Sequence, residues 1–418
     1  MILSRSVWML LCASALMAQP AMQSWRPVFP RESTDRSAGK WQARPPLWTR
    51  GRYFVWPELG FMWPGVTSTT GAPYVTPSQM RSAYGATLIY YPSTIAIVDA
   101  YDSPSAEADL GVFSSAYGLP ACTTANGCFT KVNQRGARSY PRRNTGWESE
   151  INLDVQWAHA MAPNSKILLV EANSASDADL FAAVNYAKQH AAVVSMSWSG
   201  PEWSGQSYYD AAVFTQSHVT FLAASGDTAG EIGYPSTSAN VIAVGGTSFA
   251  TNSQGYVILP VIETAWSNYY GGSGGGCSAY TPQPAFQKSW AAPDCQTRGV
   301  PDVSMDADPA SGVLVYISRQ GGWWIYGGTS LSCPMMAGLI ADVNGYRSYT
   351  LGKMANPPLG LALPDLYSAA SYNYALYFND IKKGGDPYAA SPRWDMVTGL
   401  GSPKAGGLMQ YLISSKAQ

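Results

Sequence analysis

Residues 166–198 read KILLVEANSASDADLFAAVNYAKQHAAVVSMSW. Two short apolar runs, KILLVEA (Lys166–Ala172) and AVVSMSW (Ala192–Trp198), flank a stretch of helical pattern, DADLFAAVNYAKQH (Asp177–His190). A strand that is apolar on both faces must be covered on both faces, and a strand–helix–strand unit joins parallel neighbours. The same grammar extends outward, with strands expected at TIAIVDAY (Thr94–Tyr101), TFLAASGD (Thr220–Asp227) and VIAVGGTS (Val241–Ser248). Helices are expected at TPSQMRSAYG (Thr76–Gly85), which opens like a capped helix, and at INLDVQWAHAM (Ile151–Met161) and YYDAAVFTQSH (Tyr208–His218). The reading is an α/β fold whose mainly parallel sheet gathers functional groups at the carboxyl ends of its strands, near Asp99, Trp198 and Asp227.

The chain has 418 residues, 46% hydrophobic and 13% charged, which excludes disorder for its bulk and is compatible with one large catalytic domain. A formal net charge of −1 carries no basic surplus, so no nucleic-acid partner is expected. No apolar run is long enough to span a membrane. Val7–Ala18 is short, apolar and preceded by Arg5, the pattern of a signal peptide over residues 1–18. Residues 19–74 are rich in Pro, Arg, Trp and Ser without sustained periodicity and read as an irregular leader ahead of a domain over 75–418. Once Cys12 is set aside with the signal, Cys122 with Cys128 and Cys277 with Cys295 form two close pairs, and paired loop cysteines favour an oxidising compartment. Neither pair has metal spacing or a histidine nearby in sequence, and Cys333 is left over as a buried, inert thiol.

Three segments carry chemistry. GGTSLSCPMMAGLIADV, from Gly327, leads small residues into Ser330 and then into an apolar helix bearing Pro334. Ser330 is thereby placed at a helix N-terminus, where its own N–H and the helix dipole favour an anion; a simple N-cap role stays open. A nucleophilic serine needs a base, yet His159, His190 and His218 lie outside any His-Gly-Thr loop, and His190 and His218 suit helix ends or the surface. Glu150 and Asp154 stand four apart in GWESEINLDVQWAHAMAP, hence on one helix face, where burial would force a shared proton; a solvated acidic face widened by Glu148 is the competing reading. In SGDTAG, Asp227 ends a strand, as an Asx-turn acid or as a protonated donor to an oxyanion. GGSGGG (Gly271–Gly276) lacks a following Lys-Ser/Thr and reads as a structural loop.

Together these segments resemble the sedolisin family, the serine-carboxyl peptidases of subtilisin-like fold. The resemblance runs from Thr76 to the C-terminus and rests on EINLD, SGDTAGEIGYPSTSANVIAVGGTS, GVPDVSMDADPASGVLVY, GGTSLSCP and FNDI…WDMVTGLGSP in matching order. It implies a three-layer fold with a central, mainly parallel sheet flanked by helices. It further implies Ser330 as nucleophile, Glu150 as general base and acid, Asp154 as its partner and Asp227 as oxyanion-hole acid. Asp99 and Trp198 occupy places that extend the carboxylate network in some members.

A calcium ion is also implied, at Asp380, Ile381 and Asp395 with carbonyls near Ser391 and Arg393, although the last two stand where glycine is usual. Fewer than 80 residues precede the resemblance, short of the family's folded propeptide; truncation, separate supply and folding without one all fit. The expected protein is therefore a secreted, monomeric, acid-acting endopeptidase on protein or peptide substrates. The alternatives are a tripeptidyl exopeptidase and a non-catalytic exported peptide-binding protein. A glycosidase is disfavoured, because carboxyls one helical turn apart are too close to flank a sugar bond.

Overall fold

The computed structural model describes residues 48–52, 74–252, 257–258, 260–290, 295–350 and 357–416. The segment read as a signal peptide and most of the leader lie outside the described residues. The main elements are β1 (Trp48–Arg52), α1 (Pro77–Tyr84), β2 (Thr94–Ala100), α2 (Ala106–Tyr117), β3 (Phe129–Asn133), α3 (Thr145–Met161) and β4 (Lys166–Ala172). They continue with α4 (Asp177–Ala187), β5 (Val193–Met196), α5 (Ser207–Ala212), β6 (Thr220–Ala224), β7 (Val241–Phe249) and β8 (Glu263–Ala265). The C-terminal part holds β9 (Val303–Asp306), β10 (Val313–Ile317), β11 (Gly322–Gly327), α6 (Thr329–Thr350), α7 (Leu363–Tyr377) and α8 (Ala405–Ser414).

Seven strands run parallel in the order β9-β7-β6-β5-β2-β4-β3, and β8 adds antiparallel to the far end of β7. Alternation along each strand divides the interior. Ile95 and Ile97 of β2 join one core with Ile151, Leu153 and Trp157 of α3 and Leu331, Met335 and Ile340 of α6. Ala96, Val98 and Ala100 join a second core with Leu180, Phe181 and Val184 of α4. Three layers result, as sheet strands apolar on both faces require. The same alternation carries Asp99 to the α3 and α6 side.

Local chemistry sets the element ends. Thr76 and Gln79 close a capping box over α1, Pro77 occupies its first turn and Gly85 ends it at φ +65°. α3 and α6 cross closely because Gly338 has no side chain: a Cβ there would lie 2.7 Å from the Cβ of Met161.

Two elements differ from the sequence-based expectation. The helix expected over Tyr208–His218 spans only Ser207–Ala212, because the following chain turns Val213 and Phe214 into the second core and His218 adopts φ +65°. Within the leader read as irregular, β1 pairs antiparallel with β11, Trp48 opposite Gly327 and Arg52 opposite Trp324. Both disulfides close as paired in the sequence, Cys122–Cys128 and Cys277–Cys295, and Cys333 is free and buried. No helix among the described residues is long and apolar enough to cross a membrane.

Candidate active site

Ser330 is delivered by a strand, a two-glycine turn and a helix. β11 ends at Gly327, where a Cβ would stand 2.4 Å from the carbonyl oxygen of Ala307, and Gly328 turns the chain at φ +106° into α6. Ser330 thus lies in the first helical turn, where backbone N–H groups have no partner within the helix. Pro334 cannot donate to the carbonyl four residues back, which is that of Ser330. The Ser197 hydroxyl approaches this freed oxygen instead, at 3.4 Å. The Ser330 hydroxyl is buried and makes no hydrogen bond.

The helix face anticipated from the Glu150–Asp154 spacing is buried, not solvated. Glu148, Glu150 and Asp154 are all fully inside, and Glu148 separates from the others by pairing with Arg143 and Arg319. Neither oxygen of Glu150 closes a hydrogen bond, yet it lies near enough to Ser330 and Asp154 for both to draw its pKa down. Burial is the larger influence, and with Asp99 and Asp227 nearby it holds Glu150 well above the usual carboxylate range. Asp154 is raised in the same way by burial, Asp99 and Glu150, while the Ser197 hydroxyl donates to its Oδ1 at 2.9 Å and opposes the shift. Asp99 has both oxygens unpartnered and is pushed up to about 8 by burial. These three carboxyls form one cluster that cannot hold three charges.

Asp227 is held from one side only. The Thr329 N–H and hydroxyl both donate to its Oδ1, at 2.7 and 2.9 Å, while Oδ2 is buried without a partner. Burial pushes this carboxyl up to about 8 against the pull of Thr329. A protonated Oδ2 is a free donor beside the N-terminus of α6. The glycine loop read as structural braces this acid: Gly274 N–H donates to Gly226 O at 2.7 Å and Gly272 N–H to Asp227 O at 3.0 Å. A Cβ on Gly274 would lie 2.3 Å from Ser225 O, so only glycine allows that approach.

Ser330, Glu150, Asp154, Asp227 and Asp99 are therefore assembled in one place, whereas Trp198 is not. Its indole packs against Phe181 in the second core and donates to Val98 O at 2.8 Å, on the other side of the sheet from Asp99. Trp198 is a core aromatic in this structure. Ser197 and Thr329, which steady Asp154 and Asp227, went unnoticed in the sequence, although both adjoin residues that were singled out. His190 stacks on Tyr186 and contacts its carbonyl at a helix end, as expected. His159, far from both cysteine pairs in sequence, packs beside the Cys122–Cys128 disulfide with Nδ1 buried and unpartnered.

The five residues implied for calcium come together at the C-terminal loop, but protein donors already surround their carboxylates. Asp380 Oδ1 accepts from the Arg393 N–H at 2.7 Å and the Tyr374 hydroxyl at 3.1 Å, and its Oδ2 lies 3.0 Å from the Lys382 ammonium. Asp395 Oδ1 accepts from the N–H groups of Val397 and Thr398, and Oδ2 from that of Ser391. The Thr398 hydroxyl is 3.1 Å from both oxygens. Ile381 is buried against Ala265 and Val397.

The chain is similar to several known proteins. The sequence pattern of the Subtilase family matches residues 143–353. Kumamolisin of Bacillus sp. (strain MN-32) is 34% identical over 325 residues, which cover 69% of this chain and 55% of that protein. Tripeptidyl-peptidase 1 of Dictyostelium discoideum is 26% identical over 396 residues, 83% of this chain and 60% of that protein. The chain thus spans between about half and three fifths of the length of these relatives. Among solved structures, Pseudomonas sedolisin, a serine-carboxyl proteinase complexed with pseudo-iodotyrostatin, superposes with a TM-score of 0.66 at 27% identity, covering 82% of this chain and 98% of that one.

Proposed function

The chain belongs to the sedolisin family of serine peptidases, and from that premise we propose that it is an exported, acid-acting endopeptidase using Ser330, Glu150, Asp154 and Asp227. One observation carries the assignment. The Ser330 hydroxyl, both oxygens of Glu150, one of Asp154 and one of Asp227 are buried together without hydrogen-bond partners. Such a concentration of unmatched buried oxygens calls for a reason, and a catalytic role on an incoming peptide supplies one.

In the proposed reaction Ser330 Oγ attacks the scissile carbonyl carbon as Glu150 takes its proton. The tetrahedral oxyanion is held by the Ser330 N–H and by the proton on Asp227 Oδ2, each donor worth about 2.7–4 kcal/mol in comparable sites. Glu150 then passes its proton to the departing amine nitrogen as the C–N bond breaks. Water attacks the acyl-enzyme ester, Glu150 takes the water proton, and its return to Ser330 Oγ frees the acid product. Asp154, fixed by Ser197, orients Glu150 as a positioning residue.

The directions of the shifts set the two limbs of the pH profile. Asp227 must keep its proton to donate, so activity is lost as pH rises through about 8. Burial raises Asp99, Glu150 and Asp154 alike, and loss of the Glu150 proton, which frees it to act as the base, sets the acidic limb. Export is supported by the two disulfides.

The test is hydrolysis of denatured casein across the acid-to-neutral range, comparing the purified chain with Ser330→Ala, with products read by mass spectrometry. Internal cleavage that vanishes in the variant is expected. Products released only three residues at a time from the amino terminus would establish the tripeptidyl mode borne by the name of one relative. Turnover that survives in Ser330→Ala would overturn the assignment.

A further inference from the structure

We propose that the C-terminal loop is locked by the protein's own donors and needs no calcium: the Tyr374 hydroxyl and the Lys382 ammonium fill the place that the family resemblance gives to the ion. Calcium requires six to eight oxygens at 2.3–2.6 Å, with their lone pairs facing the ion. Here the carboxylate oxygens face hydrogens. Tyr374 reaches in from the last turn of α7, just past Asn373, whose φ of −159° breaks the helical path. Its hydroxyl stands 3.1 Å from Asp380 Oδ1, 3.2 Å from Arg393 O and 3.0 Å from Leu400 O, in the middle of one carboxylate and two carbonyls. An ion that drew those three oxygens inward would have to displace the phenol.

Charge points the same way. Of the two carboxylates, Asp380 already has a cation at its side. Lys382 pairs with Asp380, and the Arg393 guanidinium lies 4.3 Å from the centroid of the Trp290 ring. A dication entering at Asp380 would meet the like charge of the Lys382 ammonium. Arg393 also holds φ +73°, a conformation that glycine adopts freely and arginine does not. The chain keeps the turn shape for which glycine is suited while placing a cation there, and the turn's N–H is spent on Asp380. Asp395 is committed in the same manner, its oxygens taken by the backbone of residues 391, 397 and 398.

The inference concerns the loop alone and is read without peptidase activity, so its fate is separate from that of the proposed reaction. The intact purified protein is melted at acidic and near-neutral pH with EDTA or with excess calcium chloride, and calcium binding is followed by isothermal titration calorimetry. No shift in Tm between the two conditions and no stoichiometric heat are expected. Tyr374→Phe should lower Tm by the same several degrees with or without calcium, because a protein donor is lost and no ion was present. The double variant Lys382→Ala/Arg393→Gly, which removes both cations and relieves the φ strain, should acquire a Tm that rises with added calcium. One-to-one calcium binding by the unaltered protein, with Tm lowered by EDTA and restored by calcium, would overturn the proposal. So would a Tyr374→Phe protein as stable as its parent.

Discussion

Two buried charged clusters in this molecule have the same exposure and opposite bonding. Arg298 and Asp302 are both fully buried, and every oxygen of Asp302 is spoken for. Arg298 reaches both, Tyr367 and Gln287 donate to Oδ1, and the Ala243 N–H donates to Oδ2. At the candidate active site, the Ser330–Glu150–Asp227 cluster leaves oxygens empty. Burial alone therefore does not distinguish structure from chemistry here. The satisfied cluster ties β7 and the turn before β9 to α7; the unsatisfied one is poised for a ligand.

That contrast can be broken by mutation. Glu150→Gln should reduce kcat by about four orders of magnitude or more, in line with loss of a nucleophile's base, while Tm holds or rises, because a buried titratable group becomes neutral. A kcat within tenfold of the parent would remove Glu150 from the reaction. Asp302→Ala should do the reverse: it strands Arg298 in the interior at a cost of about 3–5 kcal/mol, read as a large fall in Tm or failure to fold. Replacing Arg298 and Asp302 together by Met and Leu should recover most of that loss, which separates the unpaired charge from the packing.

A subtler comparison lies within the active cluster. Asp227→Ala should cost about 10²–10³ in kcat, the value of one oxyanion donor. Asp227→Asn keeps an N–H for the oxyanion and an oxygen for Thr329, so it should lose less and should flatten the fall in activity near pH 8. A fall that persists in Asp227→Asn would assign it to another group.

The smallest effect is on stability against pH. Asp99, Asp227 and Asp342 are pushed to about 8 and Glu171 to about 9, mainly by burial. An unfolded carboxyl titrates near 4. Between those values the unfolded chain releases protons that the folded chain retains, so unfolding is favoured as pH rises. Tm should decline from about pH 4 to about pH 8, the opposite of a protein held by salt-bridged carboxylates. His159, lowered to about 4 by burial, works against this below its unfolded value of about 6.5, where only the unfolded chain gains the proton. His159→Leu should therefore gain relative stability as pH falls from 6.5 to 4. A Tm that climbs steadily from pH 4 to 8 in the parent would contradict the raised carboxyls.

Much of this was legible in the sequence, for specific reasons. β2 and β4–β7 announce themselves because both faces are buried, so their residues are apolar without alternation. Glu150 and Asp154 declare one helix face by spacing alone. What spacing cannot reveal is which face is covered, and the burial of Glu148 with Arg143 and Arg319 is a tertiary fact. Trp198 illustrates the limit of a strand-end rule: successive residues point to opposite sides, and a tryptophan two residues past β5 faces the second core rather than Asp99. β1 was illegible because five residues rich in Arg and Gly have no apolar period; their pairing with β11 supplies the order. His159 and the Cys122–Cys128 pair meet only because α3 packs on α2 and the loop that follows it.

The pairing of β1 with β11 has a topological consequence. The strand that leads into Gly327, Gly328 and Ser330 carries on its flank a ribbon that continues the chain toward the amino terminus. A single cut between Arg52 and Tyr74 would leave β1 beside β11 with no covalent link on that side, held through its backbone ladder. It would then become a separable peptide whose retention depends on concentration and not on a covalent tether. Dilution would free the edge of β11, and a synthetic copy of residues 48–52 with flanking sequence would pair with it again.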